Sequence, residues 1–140
     1  MPELVVVVIL ALLSAYSDWR KSMIPNRLTI GGILVGFLLS AFHGRFDVAL
    51  VGFFSACTLL VPFLKGWLGG GDVKLLMAYG TLLGAWQLVD LWMGAAFLSV
   101  VFALAIAYKT KSALRHTAVP YAVPLAAVVL WTVGRGFFHL

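Results

Sequence analysis

Leu4-Val5-Val6-Val7-Val8-Ile9-Leu10-Ala11-Leu12-Leu13-Ser14-Ala15-Tyr16-Ser17 is an uncharged run that ends on a carboxylate, Asp18, and then on two cations, Arg20 and Lys21. Five more apolar runs follow, at residues 28–42, 48–64, 73–89, 91–108 and 118–133. Several are shorter than the roughly 20 residues that span a hydrocarbon core, and one such run alone would read as the core helix of a soluble domain. Six in series, with no amphipathic face between them, predict an all-α integral membrane protein: a six-transmembrane-helix bundle forming one domain over residues 1–140. To cross, the first helix must extend to about 18 residues at roughly 1.5 Å each. It then runs from near Pro2 to Trp19 and carries Asp18 to the membrane boundary.

Composition agrees. Hydrophobic residues make up 63% of the chain and charged residues 11%, against roughly 45–50% and 25% in globular proteins. The ten Lys and Arg outnumber five acids, but they sit in short clusters between apolar runs. That pattern fits orientation in a bilayer with anionic lipid and argues against nucleic acid as a partner. The single cysteine, Cys57, lies inside an apolar run, so it supplies neither a disulfide framework nor a zinc knuckle.

Charge also orders the helices. The first run is preceded by Glu3 and followed by cations, the arrangement of an uncleaved anchor with its N-terminus outside. Arg20, Lys21, Arg27, Lys65, Lys74, Lys109, Lys111 and Arg115 fall on one side, and Arg45 and Arg135 on the other. The positive-inside rule then places both termini outside a bacterial or archaeal cytoplasmic membrane. Asp18 and Asp72 become cytosolic, whereas Glu3, Asp47 and Asp90 become external, with an external turn at Asp90 flanked by Trp86 and Trp92. Trp19, Trp67 and Tyr108 near inner ends, and Trp131 near an outer end, complete two interfacial belts. Gly32 with Gly36, and Gly80 with Gly84, have the small-x-x-x-small spacing of close helix packing.

Two segments on the basic side carry chemistry. Asp18-Trp19-Arg20-Lys21-Ser22-Met23-Ile24-Pro25-Asn26-Arg27-Leu28-Thr29 and Gly69-Gly70-Gly71-Asp72-Val73-Lys74-Leu75-Leu76 place one acid each, 54 residues apart, at the foot of a helix. Both resemble the signatures of the type IV prepilin peptidases, the second in the Gly-x-Gly-Asp-x-Lys form shared with presenilin-like intramembrane aspartyl proteases. Val119-Pro120-Tyr121-Ala122-Val123-Pro124 is similar to a weaker Pro-Tyr element opening that family's last helix. Gly-x-Gly-Asp alone is common; two signatures in this order carry the resemblance. It implies an aspartyl endopeptidase, with Asp18 and Asp72 catalytic, that removes basic leaders from prepilin-like or pseudopilin substrates at the cytosolic face. Long members add an N-terminal segment, often with Cys-x-x-Cys, associated with N-methylation. This chain resembles the short forms of tight-adherence (Flp) systems or archaea, so cleavage without methylation is expected.

The chemistry of such a pair stands without the family. One carboxylate deprotonates a water while the other, protonated, donates to the scissile carbonyl, and like charges about 3 Å apart cannot both ionise. Helix ends suggest the roles. Asp18 lies at the negative end of the first helix and Asp72 at the positive end of the fourth, which favours Asp72 as base and Asp18 as acid.

Gly69, Gly70 and Gly71 either make a flexible turn or, lacking Cβ atoms and tolerating positive φ, admit a substrate strand beside Asp72. Lys74 either holds an aspartate's charge and orients its loop or is a positive-inside lysine. Pro25 and Asn26 begin the second helix; Pro120 and Pro124 start and bend the last one.

Blander roles exist for the acids, as a helix cap for Asp72 and as a counter-charge to Arg20 and Lys21 for Asp18. No His-Glu-x-x-His is present and His43, His116 and His139 are scattered, so no metal or organic cofactor is expected. Ser22 beside Lys21 and Ser112 beside Lys111 sit in charged loops, unsuited to a Ser/Lys hydrolase. The competing function is a non-enzymatic membrane scaffold or a small proton-coupled transporter subunit that uses the same acids as relays.

Overall fold

A computed structural model describes residues 2–110 and 121–135. Among them lie seven helices and no strand: α1 (Pro2–Lys21), α2 (Asn26–Phe42), α3 (Phe46–Cys57), α4 (Leu60–Leu64), α5 (Gly70–Leu83), α6 (Ala85–Thr110) and α7 (Ala122–Gly134). α1 matches the length expected for a crossing, and α2 starts at Asn26 with Pro25 as its cap. The third run breaks into α3 and α4 at Thr58–Leu59. Pro62 explains the break, because it has no N–H to continue the ladder; the Thr58 and Leu59 amides instead donate three residues back, to Ser55 and Ala56.

The expected turn at Asp90 is not there. The chain turns at Gly84, whose φ of +91° only glycine adopts without strain, and a Cβ there would lie 2.7 Å from Val48 Cγ1. Gly84 is therefore both the end of α5 and, as its spacing with Gly80 predicted, a packing glycine against α3. Asp90 sits exposed on α6, which runs on for 26 residues. An exposed carboxylate does not break a helix; a left-handed backbone does.

The consequence is a bundle of unequal helices. Three spans are long and apolar enough to cross a membrane, Pro2–Lys21, Phe46–Leu64 and Ala85–Lys109, whereas α2 and α7 are shorter apolar helices. α5 has 14 residues, about 21 Å of rise, and is the innermost helix. Val73, Leu75, Leu76, Ala78, Tyr79, Gly80, Thr81, Leu82 and Leu83 are all buried, as an all-round apolar helix must be. It packs chiefly on α2 and α3. Gly52 of α3 and Gly80 of α5 put backbone on backbone: a Cβ at either would strike the other's carbonyl. Gly36 of α2 likewise admits the Thr81 side chain, and Gly32 lies against Leu10 and Ala78. α1 packs on α7, and α7 on α6.

The outside of the bundle is apolar. Leu34, Leu38, Phe42, Phe54, Phe97 and Val100 are all more than half exposed, a surface that water would not tolerate over such an area. It is the surface of a membrane protein. Trp19, Trp67, Trp86, Trp131 and Tyr108 are exposed near helix ends, whereas Trp92 packs partly against the core. Residues 111–120, with Pro120, His116 and the Lys111–Ser112 pair, lie outside the described residues, as does His139.

Candidate active site

α1 closes in a left-handed turn: Ser22 has φ +49° and its N–H donates to the Asp18 carbonyl at 2.8 Å. The Ser17 hydroxyl donates to the Met23 carbonyl at 2.9 Å, which folds the loop back along the helix end. Met23 and Ile24 thereby line the same cavity as Asp18. From the other side, α4 ends at Lys65, the chain reverses at Gly66 (φ +74°), and α5 begins with Gly69 as its cap. Asp72 is the third residue of α5, where an acidic side chain reaches back to the cap amide. The Gly69 N–H indeed donates to its carboxylate.

Both acids line one cavity of about 280 Å³, with Ser22, Met23, Ile24, Asn26 and the three glycines. Asp18 is 7% exposed. Its Oδ2 accepts the backbone N–H of Ala122 at 3.0 Å, at the first turn of α7. Three helices therefore build the site: α1 supplies one acid, α5 the other, and α7 a donor. Asp72, which precedes the apolar part of α5, is pushed up to about 6 by burial and then by the charge of Asp18, against the pull of the Gly69 N–H.

The glycines work differently from expectation. None of Gly69, Gly70 and Gly71 has positive φ, and Gly70 and Gly71 are helical. Their missing side chains make room for protein: the Asp72 carboxylate at Gly69, Phe63 at Gly70 and Ile24 at Gly71, with Cβ contacts of 2.8, 3.3 and 3.2 Å. Gly71 thus lets the loop after α1 press directly on the helix that carries Asp72.

Lys74 donates to Asn26 Oδ1 at 2.9 Å. It therefore orients the loop, joining the second signature to the first, and among the described residues it forms no ion pair with either acid. Pro25 caps α2 and does not line the cavity. Sequence reasoning left out Met23, Ile24 and Ala122 as site residues. Only Ala122 left a signal, as part of the Pro-Tyr element, because a backbone amide that recognises a carboxylate leaves no mark on its own residue type.

The helix-end argument for the proton also changes. Asp18 lies at the negative end of α1 but simultaneously at the positive end of α7, so the predicted asymmetry between the acids is lost. A larger cavity, about 420 Å³, is elsewhere, an apolar recess beside the α3–α4 break lined by Thr58, Pro62, Trp67 and Trp92. It holds no carboxylate. Among the described residues no cluster of His, Cys, Asp and Glu is suited to a metal ion.

Comparison with known proteins gives one concordant answer. No solved structure matches the chain. A curated relative, the prepilin peptidase EppA of Methanocaldococcus jannaschii, is 37% identical over 70 residues; these make up 50% of this chain but only 20% of that protein. The model of the type IV leader peptidase family matches residues 5–108, which include both aspartates and both signatures. The chain belongs to the type IV leader peptidase family.

Proposed function

We propose that the protein is an aspartyl endopeptidase that removes leader peptides from prepilin-like substrates, with Asp18 and Asp72 as the catalytic pair. The observation that carries this reading is the shared cavity. Two carboxylates from distant parts of the chain line it together, and Asp72 is raised first by burial and then by the charge of Asp18.

Asp72 carries the shared proton and Asp18 is the base, the reverse of what helix ends alone suggested. Asp18 takes a proton from water as its oxygen attacks the scissile carbonyl carbon, and Asp72 gives its proton to the carbonyl oxygen. The tetrahedral gem-diol then collapses. The C–N bond breaks, the proton on Asp18 goes to the leaving amine, and a gem-diol proton returns to Asp72. General acid–base help of this kind contributes roughly 10²–10⁴-fold. Lys74, bonded to Asn26, and the three glycines hold the two acid-bearing segments in register.

The basic residues support a cytosolic site. Asp18, Asp72, Asn26 and Ala122 cluster at one end of the bundle, and the described cations Arg20, Lys21, Arg27, Lys65, Lys74 and Lys109 belong to that same end. We place that end at the cytosolic face, both termini outside, and all six apolar runs within the bilayer, α5 sheltered by its longer neighbours. A substrate with a basic leader and an apolar helix, of Flp type, meets the pair where leader passes into helix.

The test is cleavage of a purified prepilin with a basic leader by the detergent-solubilised protein, with and without EDTA. Leader release unaffected by chelation supports the reading. A protein that inserts and folds but releases no leader would point to a scaffold or proton-relay subunit instead.

A further inference from the structure

Mid-helix glycines in this bundle have neighbours that need them. Gly32, Gly36, Gly52, Gly80 and Gly94 each let another helix approach where a Cβ would stand. Gly31, in the interior of α2, does not: a Cβ there would meet nothing within 4 Å. A glycine weakens a helix relative to alanine, so Gly31 costs α2 stability and returns no packing within the described residues.

Gly31 lies in a groove. α1 packs chiefly on α7 and α2 chiefly on α5, and the seam between α1 and α2 stays open as a groove of about 210 Å³. Its walls are Val6 and Ile9 of α1 and Leu28 and Val35 of α2, with Arg27 at one end. Ile9 and Val35 are exposed, which on this apolar surface means exposed to lipid. Arg27, Gly31 and Val35 are spaced by four, so they follow one face of α2 for roughly 12 Å. The polar end of the groove adjoins the candidate site, because Arg27 follows Asn26, which lines the cavity of the two acids and accepts the hydrogen bond of Lys74.

We propose that this groove seats the apolar helix of the substrate, with its backbone crossing α2 at Gly31 and its first turn delivered to the two acids. The inference rests on the peptidase reading given above. In a bilayer, lipid tails are as apolar as leucine, so helices associate through close packing, and small residues let two backbones approach. A lipid tail has no need of the missing Cβ; a docking helix does. Arg27 repels a basic leader, so only the apolar stretch enters, and the junction of leader and helix stays at the mouth beside Asn26. Docking of this kind holds the bound substrate and the transition state equally, so its loss raises KM and spares kcat.

The test compares wild type, Gly31→Leu, Val100→Trp and Asp72→Asn on one purified prepilin with a basic leader. Val100 is exposed on α6, apart from the groove, and controls for added bulk on the membrane-facing surface. Gly31→Leu should raise KM about tenfold with kcat within about threefold. Its thermal midpoint should equal or exceed that of wild type, because leucine is the better helix former and its Cβ meets no neighbour. Val100→Trp should leave both constants within about twofold. In an Asp72→Asn, Cys57→Ser background, Val35→Cys should form a disulfide with a cysteine placed two turns into the substrate helix, and Val100→Cys should not. Unchanged KM in Gly31→Leu, an equal rise in Val100→Trp, or a disulfide at position 100 in place of 35 overturns the proposal. The two-aspartate scheme survives each of these results, provided that wild type releases the leader and Asp72→Asn does not. If wild type releases no leader, the peptidase reading itself falls and takes the groove's role with it.

Discussion

Each end of the bundle buries a carboxylate, and the two are treated in opposite ways. At the end formed by the N-terminus of α1 and the C-terminus of α2, Glu3 is 5% exposed and its Oε1 lies 3.0 Å from His43 Nδ1. That acid is matched with a group that can carry the complementary charge. At the other end Asp18, equally buried, shares its cavity with a second acid, and the nearest help comes from single backbone amides. A buried charge that is paired stabilises or at least specifies a fold, whereas two like charges in one cavity cost stability and persist where chemistry needs them. Burial alone does not mark the candidate site; the company of the acid does.

The sharpest way to break this contrast is to neutralise each acid without changing its shape. Asp18→Asn and Asp72→Asn should each lower leader cleavage by about 10³-fold or more, whereas Glu3→Gln should leave cleavage within about twofold. Comparable losses at both ends would mean that the two ends are not distinct. Stability should move the other way. The Asp72 carboxyl is raised to about 6, so the folded state binds its proton more tightly than the unfolded state, and the penalty for ionising it grows as pH rises from about 4 to about 6. Asp72→Asn should therefore melt higher than wild type above pH 6 and show no gain below pH 4. Glu3→Gln should melt lower at neutral pH, because it leaves the partners of a buried acid unmatched.

Next in size is the link that keeps the acids in register. Lys74→Met and Asn26→Ala each break the same 2.9 Å hydrogen bond, and each should reduce cleavage about tenfold. The double variant should lose no more than either single one, the mark of a pair acting as a unit. Full additivity would show that Lys74 acts elsewhere. The smallest effect is on pH dependence. If Asp72 carries the shared proton, the alkaline limb of kcat/KM in the free enzyme belongs to it and begins near pH 6, and Lys74→Met should move that limb little because its ammonium bonds Asn26. A profile with no alkaline limb below pH 8 would remove Asp72 as the acid.

Much of this arrangement was legible in the residues. Apolar runs and basic clusters placed the helix feet, and two short motifs named both acids. What escaped has physical reasons. Asp90 looked like a turn because charge was weighed more heavily than backbone, yet the helix breaks at Gly84, where φ is +91°. The glycines of the second motif suggested an open, flexible strand; they are close-packed against Phe63, Ile24 and Asp72, and only coordinates reveal what fills the space of a missing Cβ. The hold of Ala122 on Asp18 spans 104 residues and uses a main-chain amide. The helix-end argument for the proton was incomplete for the same reason, since a helix end in the same chain segment is visible in sequence and one brought in from α7 is not.

The central claim is that Asp18 and Asp72 meet at one end of the bundle, and it is tested most directly by cysteine pairs in a Cys57→Ser background in native membranes. Asp18→Cys with Asp72→Cys should be joined by a short bifunctional thiol reagent, and Glu3→Cys with Asp72→Cys should not. Both site cysteines should also react with an impermeant thiol reagent from the same side. Failure of the 18–72 pair to join, or labelling of the two positions from opposite sides, would contradict the account.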